Sequence, residues 1–262
     1  MAPGAPADED AALLQRADAN VIEQFRMLAR WSAEGVVVDL PGLTLVYVAR
    51  ALDALNLAIL TEERDPDPLI AAARTFFAER GARWGVRAVG PAARAFAGRP
   101  LGAGIVPGAS LPVMLLAPLS ANAPPVPSLE IRVVHTRAEL ALYRETLRLG
   151  FDMTAALAEA ITAERLLDEP SVTCYLGYVE GRSVATATRV TVHGIAGVYN
   201  VSTVPACRRR GLGAAMTCRA ALDGRADGCL AAALQATAMG YPVYERLSFR
   251  HVADHATWQV LA

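Results

Sequence analysis

The sequence predicts an α/β (α+β) protein: a mixed, largely antiparallel twisted sheet flanked by helices, with two such units in tandem. Three observations predict it. The second half runs strand, two helices, three strands, helix, strand, helix, strand, an order that needs an antiparallel meander and one helical crossover. A stretch holding Pro124, Pro125 and Pro127 separates the halves, and such a stretch is stiff, extended and poor in contacts. The first half repeats the element order of part of the second at an offset of 144 residues, which pairs Asn56 with Asn200.

Residues 1–19 read as a flexible, solvated tail. From Asn20 to Ala33, the residues Val21, Ile22, Phe25, Leu28 and Ala29 recur at helical spacing. Val36–Leu40 and Leu43–Val48 read as strands around Pro41-Gly42, and Leu55–Leu60 as a third. Pro68 suits the first turn of a helix running to Glu79, with Gly81 as its C-terminal cap. Trp84–Val89 and Val113–Ala117 are further short strands, so residues 20–120 form one unit. Residues 121–128 are the Pro-rich linker, and residues 129–262 the second unit. There Glu130–Val134 is a strand, followed by helices over about 137–149 and 154–167. Val172–Val179, Ser183–Val192 and Gly197–Val204 form a meander turning at Glu180-Gly181 and His193-Gly194. The loop Pro205–Arg210 leads into a helix over Gly211–Leu222. A strand at Cys229–Leu234, a short helix at Met239–Leu247 and a closing strand at Thr257–Leu261 complete the chain.

Composition narrows the function classes. A content of 53% hydrophobic and 19% charged residues in 262 fits a globular protein with a substantial core. The net charge of −1 leaves no basic field to recruit nucleic acid. All 25 basic residues are Arg, so the protein has no lysine of its own to acylate. Cys174, Cys207, Cys218 and Cys229 lack C-x-x-C spacing, which argues against a zinc site and for reduced thiols in a cytoplasmic protein. The most apolar stretch, 101–119, carries Pro107, Pro112 and Pro118, which break a membrane-spanning helix.

The chemistry concentrates in Arg208-Arg209-Arg210-Gly211-Leu212-Gly213-Ala214, after a strand and at the start of a helix. A helix start leaves backbone N–H groups without partners, and its dipole places about half a positive charge there. Gly211 and Gly213 remove side chains, so a diphosphate can approach those amides. A P-loop would need Lys-Ser/Thr where Ala214-Ala215 stand, and a dinucleotide fingerprint would need a small residue where Met216 stands.

The segment 201–213 resembles motif A of the GNAT superfamily of N-acetyltransferases, Gln/Arg-x-x-Gly-x-Gly/Ala after the fourth strand. Pro242-Val243-Tyr244-Glu245-Arg246-Leu247-Ser248-Phe249 resembles motif B, Tyr-x-x-Leu-Gly-Phe. The resemblance covers roughly 129–262 and implies direct transfer of an acyl group, most often acetyl, from acyl-CoA to a primary amine. It implies that the backbone of Val201, Ser202 and Thr203 holds the pantetheine arm. It further implies that the Arg208–Ala214 loop (Arg208, Arg209, Arg210, Gly211, Leu212, Gly213, Ala214) holds the diphosphate. The thioester would enter where the fourth and fifth strands splay, and the amine would come from the opposite side. Tyr244 matches the general acid that protonates the departing thiolate, and Thr237 a position where relatives contact CoA.

Two departures stand out. Ser248 replaces the Gly of motif B, and Ala232 stands where some relatives carry a Glu general base. His193 reads as a hairpin-turn residue, and His251, Asp254 and His255 as surface or loop residues, so no base is assigned. In the first half, Arg64-Asp65-Pro66-Asp67-Pro68-Leu69 faces the arginine-glycine loop. Its prolines remove amide donors and its aspartates repel a diphosphate, so this half reads as a degenerate, non-catalytic copy. The expected co-substrate is acetyl-CoA or another acyl-CoA, without a metal. The expected partner is a small-molecule amine, with a homodimer allowed and neither nucleic acid nor membrane. The alternative is a non-enzymatic acyl-CoA-binding regulatory module.

Overall fold

A computed structural model describes residues 6–120 and 125–261. Its elements are α1 (Pro6–Trp31), β1 (Val36–Leu40), β2 (Leu43–Tyr47), β3 (Leu57–Leu60), α2 (Pro66–Ala78), β4 (Gly85–Ala88), α3 (Gly90–Phe96), β5 (Ile105–Pro107) and β6 (Leu111–Leu116). There follow β7 (Leu129–Val133), α4 (Arg137–Phe151), α5 (Ala155–Ile161), β8 (Val172–Val179), β9 (Arg182–Val192), β10 (Ile195–Thr203), α6 (Leu212–Ala226), β11 (Ala231–Gln235), α7 (Tyr241–Arg246) and β12 (Arg250–Val260).

The chain divides into two compact units, each completed by a piece from the far end of the sequence. One is Met1–Asn20 with Met114–His251; the other is Val21–Val113 with Val252–Ala262. Of the linker expected at 121–128, residues 121–124 lie outside the described residues.

In the first of these units the strands run β7-β8-β9-β10-β11-β6. β7 to β10 pair antiparallel, and β10 pairs parallel with β11 through the α6 crossover. The core under α6 is made of small and medium side chains, among them Met216, Ala220, Ala221, Ala187, Ala196 and Leu234. Small residues let the helix lie close: a Cβ on Gly224 would meet the Ala196 Cβ at 2.4 Å. α4 starts on a capping box in which Thr136 and Glu139 satisfy each other's backbone N–H groups.

The expected tail is corrected here. Residues 6–19 are the opening turns of α1, and contacts of Asp10, Arg16 and Asn20 within the unit fix this end of the helix. Arg250 grips Asp10 with two bonds of 2.7 and 2.8 Å, Arg16 donates to the His193 carbonyl at 3.3 Å, and Asn20 is buried in the sheet.

In the other unit the strands run β1-β2-β3-β4-β12, with β5 also pairing with β12. β1 to β3 are antiparallel, and the α2 crossover makes β4 parallel to β3. Its core joins Leu43, Leu60, Phe77, Val86, Ile105 and Trp258. Asn56 staples it: its Oδ1 accepts from Val48 N–H at 2.9 Å, and its Nδ2 donates to the carbonyls of Ala49 and Arg83. The closing strand is longer than expected, and from Val252 onward it counts with this unit. His255, expected on the surface, is 1% exposed within that strand. The element order β1-β2-β3-α2-β4-α3 matches β8-β9-β10-α6-β11-α7 in type and in strand direction.

Candidate functional site

The site begins with a parallel pair that comes apart. β10 and β11 are in register at Ile195/Ala231, Ala196/Ala232 and Gly197/Ala233 only, while β10 runs on to Thr203. A bulge opens the register of β10 against β9 between Tyr199 and Ser202, and Asn200 within it is left-handed, φ 53°. A bulge raises local twist and turns the strand away from its neighbour. β10 stays paired with β9 at Ser202/Thr186 and Thr203/Ala185, and Val204 N–H donates to the Val184 carbonyl at 2.9 Å. In an antiparallel ladder alternate residues turn their backbone groups to the same side. Ser202 and Val204 therefore face β9, and Val201 and Thr203 face the open edge. The Ser202 hydroxyl is also engaged, 2.7 Å from the Thr186 hydroxyl and buried.

A short loop then delivers the chain to α6. Arg208 spans it from beneath, donating Nη2 to the Gly150 carbonyl at 2.8 Å and Nε to the Thr203 carbonyl at 3.2 Å. Its side chain is a brace between the end of α4 and the end of β10. Arg209 and Gly211 are left-handed, φ 64° and 79°. Gly211 is the N-cap residue of α6 and supplies no side-chain cap. The first N–H of the helix to reach a backbone carbonyl is that of Ala215, to Gly211 at 3.0 Å. Among the described residues, the amides of 209–214 have no backbone acceptor, and alternating left-handed residues make such amides converge on an anion. Arg209, Arg210 and Gly211 are exposed, Gly213 and Ala214 half-buried, and Leu212 anchors the turn in the core at 1% exposure. A Cβ on Gly213 would stand 3.9 Å from Thr203 Oγ1 and Val201 Cγ1, so the helix mouth looks onto the open end of β10. Val126 flanks the mouth, with its Cγ2 3.3 Å from where a Gly211 Cβ would be.

Tyr244 lies on α7, half-buried, its Cε2 2.8 Å from the position of a Cβ on Gly240. Burial pushes its phenol up to about 12. Thr237 shapes the turn before α7: its hydroxyl accepts from Gly240 N–H at 3.1 Å and its carbonyl from Tyr241 N–H at 2.9 Å. Ser248 is left-handed, φ 66°, which is the physical reason a glycine suits that place. Ala232 is fully buried, opposite Ala196, and Gln235 is half-buried where β11 ends. His193 sits in the β9–β10 turn, left-handed at φ 57°.

The features that sequence reading missed are the Asn200 bulge, the Arg208 brace and the burial of Asn20; none has a local sequence signature. A cavity of about 420 Å³ lies in the other unit, lined by Arg94, Ser110, Asp254 and mostly small residues, and holds none of the motif residues. Among the described residues no helix is long and apolar enough to cross a membrane. No group of three or more His, Cys, Asp or Glu side chains gathers there as a metal would need.

No family model matches the sequence, and no curated protein matches it. Solved structures do match. A GCN5-related N-acetyltransferase from Kribbella flavida is 20% identical, with a TM-score of 0.68, over 100% of this chain and 97% of its own. A GCN5-related N-acetyltransferase from Sphaerobacter thermophilus is 14% identical, with a TM-score of 0.62, over 100% and 96%. A conserved protein of unknown function from Staphylococcus epidermidis is 11% identical, with a TM-score of 0.62, over 87% and 95%.

Proposed function

We propose that this chain, which has the GNAT fold along its whole length, is an acyl-CoA-dependent N-acetyltransferase acting on a primary amine of a small molecule. The observation that carries the reading is the coincidence of two openings in one unit. The parallel pair β10–β11 separates after Gly197, and beside it α6 begins without a cap on a glycine-bearing loop.

Acetyl-CoA supplies an activated acyl thioester. The amides from Arg209 to Ala214 hold its diphosphate, each such bond contributing roughly 1.5–3 kcal/mol. Arg209 and Arg210 add positive charge at the rim, while Arg208 acts through its carbonyl contacts to hold the loop. The open backbone edge at Val201 and Thr203 receives the pantetheine amides, and Ser202 ties that segment to β9 through Thr186. Tyr244, kept protonated by burial, gives a proton to the departing thiolate. Thr237 fixes the turn that presents Tyr244. The first unit of the sequence, with β3 and β4 paired throughout and an aspartate at the start of α2, is read as a degenerate tandem copy.

The test is release of free thiol from acetyl-CoA in the presence of primary amines. Tyr244→Phe should lower kcat by about 10²-fold or more and leave coenzyme A affinity within about twofold. The buried alanine at position 232 favours one second reading, an acyl-CoA-binding regulatory module. Tight coenzyme A binding without turnover on any amine would establish that reading in place of the first.

A further inference from the structure

We infer that Thr186 and Thr188, two buried threonines of β9, are positioning residues for the acyl-CoA site: their hydroxyls hold Asn200 in the bulge that opens the gap between β10 and β11. This rests on the acetyl-transfer reading above and names what shapes its binding edge.

A left-handed conformation is unfavourable for a residue with a side chain, and asparagine tolerates it better than most. Asn200 stands at φ 53°, shortly after Gly197, the last residue of β10 in register with β11. A residue in that state at the fork has to be held by its surroundings, and two bonds hold it. The Thr186 hydroxyl donates to the Asn200 carbonyl at 2.8 Å, and Asn200 Nδ2 donates to Thr188 Oγ1 at 3.2 Å.

The first bond sets a direction. In a trans peptide the carbonyl and the following N–H point opposite ways. With the Asn200 carbonyl turned to Thr186, the Val201 N–H is turned away from it, towards the open edge proposed to receive the pantetheine arm. A carbonyl only accepts, so this bond uses the one hydrogen of the Thr186 hydroxyl. The Ser202 hydroxyl, 2.7 Å away, therefore donates to Thr186.

The second bond is fixed from behind. A hydroxyl has one hydrogen and two lone pairs. Asn200 Nδ2 fills one lone pair of Thr188. The Tyr143 hydroxyl of α4 at 2.6 Å and Cys174 Sγ of β8 at 3.6 Å take the other lone pair and the hydrogen between them. Tyr143, Cys174 and Thr188 are all buried, so the lock spans α4, β8, β9 and β10 in the interior. A buried hydroxyl with every capacity used holds one geometry. The two threonines thus act on the acyl donor through Asn200.

The test compares equilibrium binding of coenzyme A with that of ADP, which carries a diphosphate and no pantetheine arm. Thr186→Val and Thr188→Val each remove one hydroxyl and keep the side-chain shape. Each should weaken coenzyme A binding by about tenfold and leave ADP binding within about twofold. Thr186→Ser and Thr188→Ser keep the hydroxyl and should restore coenzyme A affinity to within about twofold of the wild type. Asn200→Ala removes the locked side chain at a half-buried position and should show the same selective loss, which keeps the inference testable if a valine variant does not fold. Unchanged coenzyme A affinity in these variants overturns the inference. So does an equal loss for both ligands, which marks a general disturbance of the fold, and so does a serine variant as weak as its valine counterpart. A wild type that binds neither ligand removes the acyl-CoA reading and this inference with it.

Discussion

On the proposed reading, Tyr244 sets the alkaline limit of the reaction. With its phenol pushed up to about 12, it stays protonated through neutral and moderately alkaline solution. For stability the sign is the same: the contribution of the neutral buried phenol is full below its ordinary pKa of about 10 and is lost as pH rises towards 12. The proton that has to leave is the acceptor's own, and position 232 offers no side chain to take it. We expect kcat/KM to climb along the titration of the amine and to show no falling limb below about pH 10. Comparing two amines of different basicity checks this; an acidic limb at one fixed pH for both would reveal a base on the protein. Ser248 is the other informative residue. A left-handed serine costs roughly 1 kcal/mol that glycine does not, so Ser248→Gly should raise the unfolding free energy by about that amount in urea titration.

At the scale of elements, the ends of the chain matter more than their composition announces. α1 places Asn20 where three carbonyls and one hydroxyl converge. Asn20→Ala would leave those groups unsatisfied in the interior, and should cost roughly 2–4 kcal/mol by denaturant unfolding. At the other end Trp258 is 2% exposed, donating Nε1 to the Arg99 carbonyl at 2.6 Å. Trp258→Ala should cost about 3–5 kcal/mol, measured in the same way. The sequence made most strands legible because their periodicity is strong: the observed bounds of β1, β2, β8 and β9 lie within a residue of those expected. The first turns of α1 were legible too, through Leu13, Ala17 and Val21 at four-residue steps, but the acidic Pro- and Ala-rich start reads equally as tail. α3 was hidden because Gly90-Pro91 looks like a break, although Pro in the first turn is a helix start. β12 could be recognised as a strand but not assigned a partner, since pairing with β4 and β5 is a long-range choice. The loop before α6 was the most legible part of the site, because glycine is required there by backbone geometry. The Asn200 bulge and the Arg208 brace arise only when distant segments meet.

The whole molecule holds two strand–helix–strand crossovers that each join parallel strands, and they differ at the start of the helix. β3 and β4 remain paired from Leu57/Gly85 to Leu60/Ala88, and Val89 N–H still reaches the Leu60 carbonyl at 3.0 Å. α2 starts on Asp65, whose carboxylate accepts from Asp67 N–H at 3.1 Å. That end offers no gap, and its first turn is capped by a side chain and lacks the N–H groups of Pro66 and Pro68. β10 and β11 part after three rungs, and α6 opens uncapped. The chain should therefore bind one coenzyme A, not two. Titration calorimetry of coenzyme A into the wild type and into Gly213→Glu is the most direct test. The space around Gly213 accepts a Cβ at 3.9 Å from its neighbours, so the variant should fold with an unchanged circular dichroism spectrum. The account predicts one site per chain in the wild type and at least about a hundredfold loss of affinity in the variant, through bulk and like charge. A folded Gly213→Glu protein that binds coenzyme A as tightly as the wild type would contradict it.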